Sequence, residues 1–377
     1  MLRSIERKSK KKDNRSSKIK NKGKKKITKK ITKKSRQKTS KKRAPKTEFH
    51  KALCVEKFSG NPIISPKGEN FWESNQTFNP GAILLEDGVH FIYRAVGNDG
   101  ISRFGKAKSR DGLIVNERVS FPVYQHQLIR DLYTSSFRVQ RFPSSNISSG
   151  GSFGGCEDPR IVRVGNENKI YMTYTAWDRG LRMAITSIKV KDFVSGRWNW
   201  DMPRLISPPG EVHKNWVIFP EKINGKYAIL HSVNPEILVT YVDSLEFRGY
   251  LKSYHDGEVK SEDFWEDRMR GAGPPPLKTE EGWLLFYHAI EKKDPSKYKV
   301  GAMLLDLKDP SKILYRSAGP ILEPDKDYEN SGFKPGIVYA TGSVIKNDIV
   351  YIYYGAADSY VCAAYIGLKE LMEILKG

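Results

Sequence analysis

One alternation of apolar and polar positions recurs five times along the chain. Each copy is a short apolar run, a tight polar turn and a second run rich in aromatic and β-branched residues. Residues 81–85 turn at Glu86-Asp87-Gly88 into 89–94, and 160–164 turn at Gly165-Asn166-Glu167-Asn168 into 169–174. Residues 216–223 turn at Asn224-Gly225 into 226–231, and 276–279 turn at Glu280-Glu281-Gly282 into 283–288. The last copy runs from 342–345 through Lys346-Asn347-Asp348 into 349–354. Asp-Gly and Asn-Gly between alternating runs are hairpin signals, and a period of several tens of residues is the mark of repeated sheet units. The pattern predicts an all-β fold, a five-bladed β-propeller. A closed ring of blades leaves a central funnel able to hold a small ligand.

Helical spacing is sustained at the C-terminus over 368–375, where Leu368, Leu371, Ile374 and Leu375 recur as one face. This short helix is expected to cap the last blade.

Charge separates the chain into two parts. Residues 1–50 hold 23 Lys and Arg against three acids, or +20 of the formal +22, whereas the remainder carries 42 bases and 40 acids. The basic composition therefore describes a tail, not the folded part. Residues 1–50 have almost no large apolar side chains and are expected to be disordered, with 51–377 forming the propeller. One reading of the tail is a solubilising extension or an upstream translation start. The other is nonspecific attraction to nucleic acid or an anionic surface, without the interleaved aromatics of a base-stacking module. No signal peptide or apolar span is evident, so a cytoplasmic location is expected. Cys54, Cys156 and Cys362 are odd in number and far apart, which argues against a disulfide framework or a metal site.

Loops between the repeats concentrate the candidate chemistry. Phe78-Asn79-Pro80-Gly81 is followed in its blade by Tyr93-Arg94-Ala95 and Ser102-Arg103, and Gly154-Gly155-Cys156-Glu157-Asp158-Pro159-Arg160 opens the second repeat. His213-Lys214-Asn215-Trp216, Gly271-Ala272-Gly273-Pro274-Pro275-Pro276 with Tyr287-His288, and Tyr353-Tyr354-Gly355-Ala356-Ala357-Asp358 serve the others. Rings, carboxylates and guanidinium groups together suit a sugar, whose cleavage needs an acid for the leaving oxygen and a nucleophile for the anomeric carbon. Asp158 is the candidate acid, on the expectation that its carboxylate neighbour raises its pKa. The same Glu-Asp-Pro-Arg run also reads as a turn with an Asp cap and an Arg partner.

Six motifs in order resemble glycoside hydrolase family 130, five-bladed propellers that act on β-mannosides, many by phosphorolysis. They are Gly155-Cys156-Glu157-Asp158-Pro159-Arg160, Phe219-Pro220-Glu221-Lys222-Ile223, Gly271-Ala272-Gly273-Pro274-Pro275, Gly282-Trp283-Leu284-Leu285-Phe286-Tyr287-His288, Leu304-Leu305-Asp306-Leu307 with Asp309-Pro310, and Tyr353-Tyr354-Gly355-Ala356-Ala357-Asp358. The resemblance implies that Asp158 is the proton donor of an inverting displacement. It implies that Asn79, Ser102, Arg103 and Asp358 bind the sugar, and that Arg182 and Lys214, with His288, hold inorganic phosphate as co-substrate. No other cofactor is implied, and a homo-oligomer stays open.

One departure bears on the nucleophile. Many phosphorylases of the family carry Arg directly after the histidine of the third blade, where this chain has His231-Ser232. A mannosidase of the family uses glutamates as base, which makes Glu236 a candidate for a hydrolytic alternative. Because Arg182 and Lys214 are present, phosphorolysis of a β-mannoside oligosaccharide to mannose 1-phosphate, or its reversal, is the leading reading. The rivals are a phosphate-independent β-mannosidase, a noncatalytic carbohydrate-binding propeller and a nucleic-acid-associated protein acting through its tail.

Overall fold

A computed structural model describes residues 55–126, 149–178, 180–253, 264–291 and 293–377, together with the backbone of 257–258. The expectations for the basic tail fall outside the described residues.

The five repeats form five antiparallel sheets arranged as the blades of a propeller. Blade I comprises Gln76–Leu85, Gly88–Val96, Ser102–Ser109 and Val115–Arg118, paired in that order. Blade II follows the same plan with Cys156–Arg163, Lys169–Trp177, Leu181–Lys189 and Arg204–Leu205. Blade III is reduced to Val217–Ile218, Tyr227–Ser232 and Leu238–Val242. In blade IV, Arg268–Ala272 and Leu277–Lys278 pair in succession with Trp283–Glu291. The three prolines Pro274, Pro275 and Pro276 lack the N–H a ladder needs and so split that inner strand in two. Blade V holds Val338–Lys346, Ile349–Ala356 and Tyr360–Gly367, and takes Glu56–Lys57 as its outermost strand. The first described strand thus pairs with the last, which closes the ring.

The inner and middle strands of the blades are largely buried on both faces because each sheet lies between two others. Every residue of Gly88–Val96 is buried. Five apolar clusters fill the seams between neighbouring blades: Ile92 and Phe104 against Met172, Tyr171 and Met183 against Ile229, Leu230 against Leu285, Leu304 against Ile352, and Phe91 against Tyr353. The C-terminal helix, Leu368–Lys376, buries Leu371, Met372 and Leu375 in the cluster shared by blades IV and V. It therefore seals a seam rather than capping one blade. No helix among the described residues is long and apolar enough to cross a membrane.

The turns match their chemistry. Asn224-Gly225 and Asn347-Asp348 take positive φ at both central positions (52° and 79°, 53° and 58°), as a two-residue hairpin of the strands' own twist demands.

Candidate active site

Inner strands of four blades lose register at the same place. The ladder shifts between Phe78 and Gly81 in blade I, Glu157 and Arg160 in blade II, Met269 and Gly271 in blade IV, and Ala340 and Gly342 in blade V. A bulge of this kind turns a side chain out of the sheet alternation. In blades I and II the residues turned out are Asn79 (φ 46°) and Asp158 (φ 52°), and Asn215 (φ 66°) holds the corresponding place before the inner strand of blade III. All three are Asn or Asp, the non-glycine residues that best tolerate the left-handed region. Three successive blades thereby aim an amide, a carboxylate and an amide at one funnel.

Close backbone approach fixes two of these placements. A Cβ on Gly155 (φ 92°) would lie 2.0 Å from the Ser102 carbonyl oxygen, so only glycine lets the segment entering Asp158 cross blade I there. A Cβ on Gly355 would lie 1.9 Å from Asn79 Oδ1, so blade V can back Asn79 only through a glycine.

The funnel encloses about 240 Å³ and is lined by Asp158, Asp358, Asn79, Arg94, Lys214, Arg270, Lys334, Asn215, Tyr298 and Tyr339. A larger cavity of about 940 Å³ opens where the strands meet their hairpin turns, among Leu84, Ile161, Pro220 and Val344. Its walls are mostly apolar strand ends, and of its charged residues Glu86, Asp87 and Lys278 are exposed at the turns. The chemistry therefore lies in the smaller one.

Asp158 is 3% exposed and accepts hydrogen bonds at Oδ1 from Asn79 Nδ2 (2.8 Å) and Arg94 Nη1 (3.1 Å). Arg94 is fully buried beneath the site. It donates to Ser102 Oγ (3.0 Å), the Ser149 carbonyl (2.6 Å) and Ser152 Oγ (2.8 Å), and pairs with Glu157 at 3.1 Å. Glu157 also accepts from Trp177 Nε1 (2.7 Å) and Lys214 Nζ (2.9 Å). Arg160 ties three blades together through the Asp158 carbonyl (2.7 Å), Asn215 Oδ1 (2.8 Å) and the Gly273 carbonyl (3.0 Å).

These charges reverse one expectation. Burial raises the Asp158 pKa, but the charges of Arg94, Lys214 and Arg160 and the Asn79 hydrogen bond outweigh it, so the carboxyl is held below the ordinary aspartate range. Asp358 is the carboxylate pushed up, to about 6, chiefly by burial and secondarily by the charge of Asp158 against the opposing pull of Arg94 and Lys334. It lies deep in the funnel yet keeps some solvent contact through the cavity. Ala357 and Asp358 both adopt positive φ (48° and 49°). Such strain in a non-glycine residue is retained where the surroundings fix it, commonly at functional sites.

The other candidates divide between the funnel and its supports. Asn79, Asp358 and Lys214 line it with Asp158. Ser102 is fully buried outside the lining, where its hydroxyl accepts from Arg94, so it positions a guanidinium rather than meeting a sugar there. Arg103 also lies outside the lining and is engaged with Asp99 (2.7 Å), Gln125 and the face of Phe71. Arg182 donates to the Ser207 carbonyl (2.6 Å) and stacks on Tyr250, beyond the cavity wall. His288 is fully buried, stacked on Tyr339 at 3.7 Å, and donates to the Ala340 carbonyl (2.7 Å). Burial and the Arg160 charge push its pKa down to about 3, so it brings no positive charge to a phosphate. Ser232 donates to the Asn234 carbonyl, and Glu236 is exposed and outside the lining.

Sequence reasoning did not single out Arg270, Lys334, Tyr298 or Tyr339. Asn215 was legible in principle, because it stands just ahead of the apolar run of its repeat, as Asn79 and Asp158 do in theirs.

A ring of blades around a small funnel of paired carboxylates, cations and tyrosine faces defines a carbohydrate-active enzyme. The chain belongs to glycoside hydrolase family 130, whose model, described as beta-1,4-mannooligosaccharide phosphorylase, matches residues 54–377. It is 33% identical over 330 residues to the 1,2-beta-oligomannan phosphorylase of Thermoanaerobacter sp. (strain X514), an alignment covering 84% of this chain and 98% of that one. It is also 33% identical, over 319 residues with the same coverages, to the beta-1,2-mannobiose phosphorylase of that organism. A crystal structure of a glycosyl hydrolase from Bacteroides ovatus superposes with a TM-score of 0.64 at 27% identity, covering 84% of this chain and 94% of that one.

Proposed function

We propose that this protein is a β-mannoside phosphorylase: it breaks the glycosidic bond with inorganic phosphate and inversion, giving α-mannose 1-phosphate. The observation that carries this reading is that three cations, Lys214, Arg270 and Lys334, line the same cavity as Asp158 and Asp358. A hydrolase needs a second carboxylate poised over a water. Here the second carboxylate of the cavity, Asp358, is accompanied by those three cations, which suit an attacking phosphate anion. Glu236, the candidate base for hydrolysis, does not line that cavity.

Asp158 donates the proton to the leaving oxygen, while Asn79 and Asp358 take sugar hydroxyls. Before phosphate binds, the surrounding cations keep Asp158 ionised. A phosphate anion bound beside Lys214 offsets that field and restores the proton to Asp158 when the site is loaded. The proton balance closes, since hydrogen phosphate gives up one proton on becoming the ester and Asp158 recovers the one it delivered. In the reverse direction the same groups build the β-mannoside from mannose 1-phosphate. Names of relatives matched over nearly their full length point to β-1,2-linked mannose as the first substrate to test.

The test is the rate of mannobiose cleavage, β-1,2- and β-1,4-linked, as phosphate is varied. Turnover should saturate with phosphate, and Lys214→Met should raise the KM for phosphate by about tenfold or more while changing the KM for mannobiose much less. A rate indifferent to phosphate would transfer the protein to the hydrolases.

A further inference from the structure

Beside the funnel lies an open groove of about 580 Å³ whose lining includes Asn75, Gln76, Asn98, Phe153 and Phe333. Phe153 and Phe333 are 42% and 57% exposed there. No charged side chain lines the groove. Amides, hydroxyls and exposed ring faces without charge suit a neutral polyhydroxylated ligand, and neither a phosphate nor a nucleic acid.

The groove adjoins the funnel. Three segments pass from one lining to the other in a single residue: Gly150 to Gly151, Lys334 to Phe333, and Asp358 to Ser359. Gln76 stands at the boundary, donating from Nε2 to the carbonyls of Gly150 (3.0 Å) and Asp358 (2.7 Å). Both phenylalanines are held through their backbone. The Phe333 N–H donates to Ser359 Oγ (2.8 Å), and the Phe153 N–H donates to the Gly100 carbonyl (2.9 Å). A Cβ on Gly100 would lie 2.9 Å from the Phe153 ring, so glycine lets that ring lie against the loop. Arg103 braces the same loop through Asp99 and the Ile101 carbonyl.

The funnel, at about 240 Å³, is smaller than the 300–1,000 Å³ typical of sites that enclose a drug-sized ligand, so a sugar chain seated in it must run outward. We propose that the groove between Phe153 and Phe333 binds the sugar units of a β-mannoside beyond the two joined at the bond that is cleaved. It makes the protein selective for oligosaccharides over disaccharides. This rests on the proposed β-mannoside activity and adds a substrate length to it.

The double variant Phe153→Ala/Phe333→Ala tests the assignment. Two kcat/KM values, for β-mannobiose and for β-mannotetraose of the same linkage, are measured at saturating phosphate. The tetraose-to-disaccharide ratio should fall about tenfold, through the KM of the tetraose, as expected for the loss of two aromatic contacts. An unchanged ratio overturns the groove, whatever happens to overall activity. Calorimetric titration of β-mannotetraose without phosphate reads the same contact independently of turnover. Weaker binding by the double variant supports the groove and equal binding overturns it. If the unaltered protein cleaves no β-mannoside, the activity fails while the titration still decides the groove.

Discussion

Asp158 and Asp358 share one cavity and are driven in opposite directions by what surrounds them. Guanidinium and ammonium groups keep Asp158 ionised, while burial keeps Asp358 protonated to about pH 6. Asp158→Asn keeps the shape of the side chain and removes the proton. It should cut kcat by a hundredfold to ten-thousandfold, on the order expected for general acid catalysis, with mannobiose binding by calorimetry still measurable. Asp358 makes a pH prediction. Between about pH 4 and 6 the folded chain holds a proton that the unfolded chain has released, so this group favours folding at low pH, and the contribution is lost as pH rises through 6. Relative to the unaltered protein, Asp358→Asn should therefore gain about 1 kcal/mol between pH 4 and 7 in urea unfolding. That is less than the full shift implies, because solvent in the cavity screens the carboxyl. None of this opposition was legible in the sequence. Glu157 beside Asp158 suggested a raised pKa, and only the fold shows that Glu157 is bound up with Arg94, Lys214 and Trp177.

Turns and strands were the legible part, because their signals are local. Asn-Gly, Asp-Gly and Asn-Asp sit where the hairpins are, and each apolar run between them became a strand. Blade III with three strands and the split inner strand of blade IV were not foreseen, since they depend on how far pairing extends once neighbours are in place. Ring closure was equally hidden, because Glu56–Lys57 is short and its partner Tyr360–Gly367 lies some three hundred residues on. That closure is held by Lys57, whose ammonium pairs with the fully buried Glu329 at 2.7 Å and with Asp325. Removing one partner of a buried pair strands the other's charge. Lys57→Met should lower unfolding stability by about 3 kcal/mol, read as a fall in the denaturant midpoint, without altering KM for phosphate. A midpoint within error of the unaltered protein would mean that the closing strand is not held by this ion pair.

Propeller architecture explains why so many site residues come from far apart in sequence yet occupy equivalent places. Each blade contributes the end of its inner strand, bringing Asn79, Asp158, Asn215, Arg270 and Tyr339 to one funnel, and the turn between the second and third strands of blade V adds Asp358. Residues that lie one layer out, such as Ser102, Arg103 and His288, carry roles suggested by the family resemblance, and the geometry gives them supporting positions instead. The measurement that bears most directly on this account is an NMR time course of β-1,2-mannobiose with inorganic phosphate and the purified protein. The phosphorus spectrum should show free phosphate converted mole for mole into α-configured mannose 1-phosphate, with one mannose released per ester formed. Free mannose from both halves of the disaccharide, with the phosphate resonance unchanged, would contradict it.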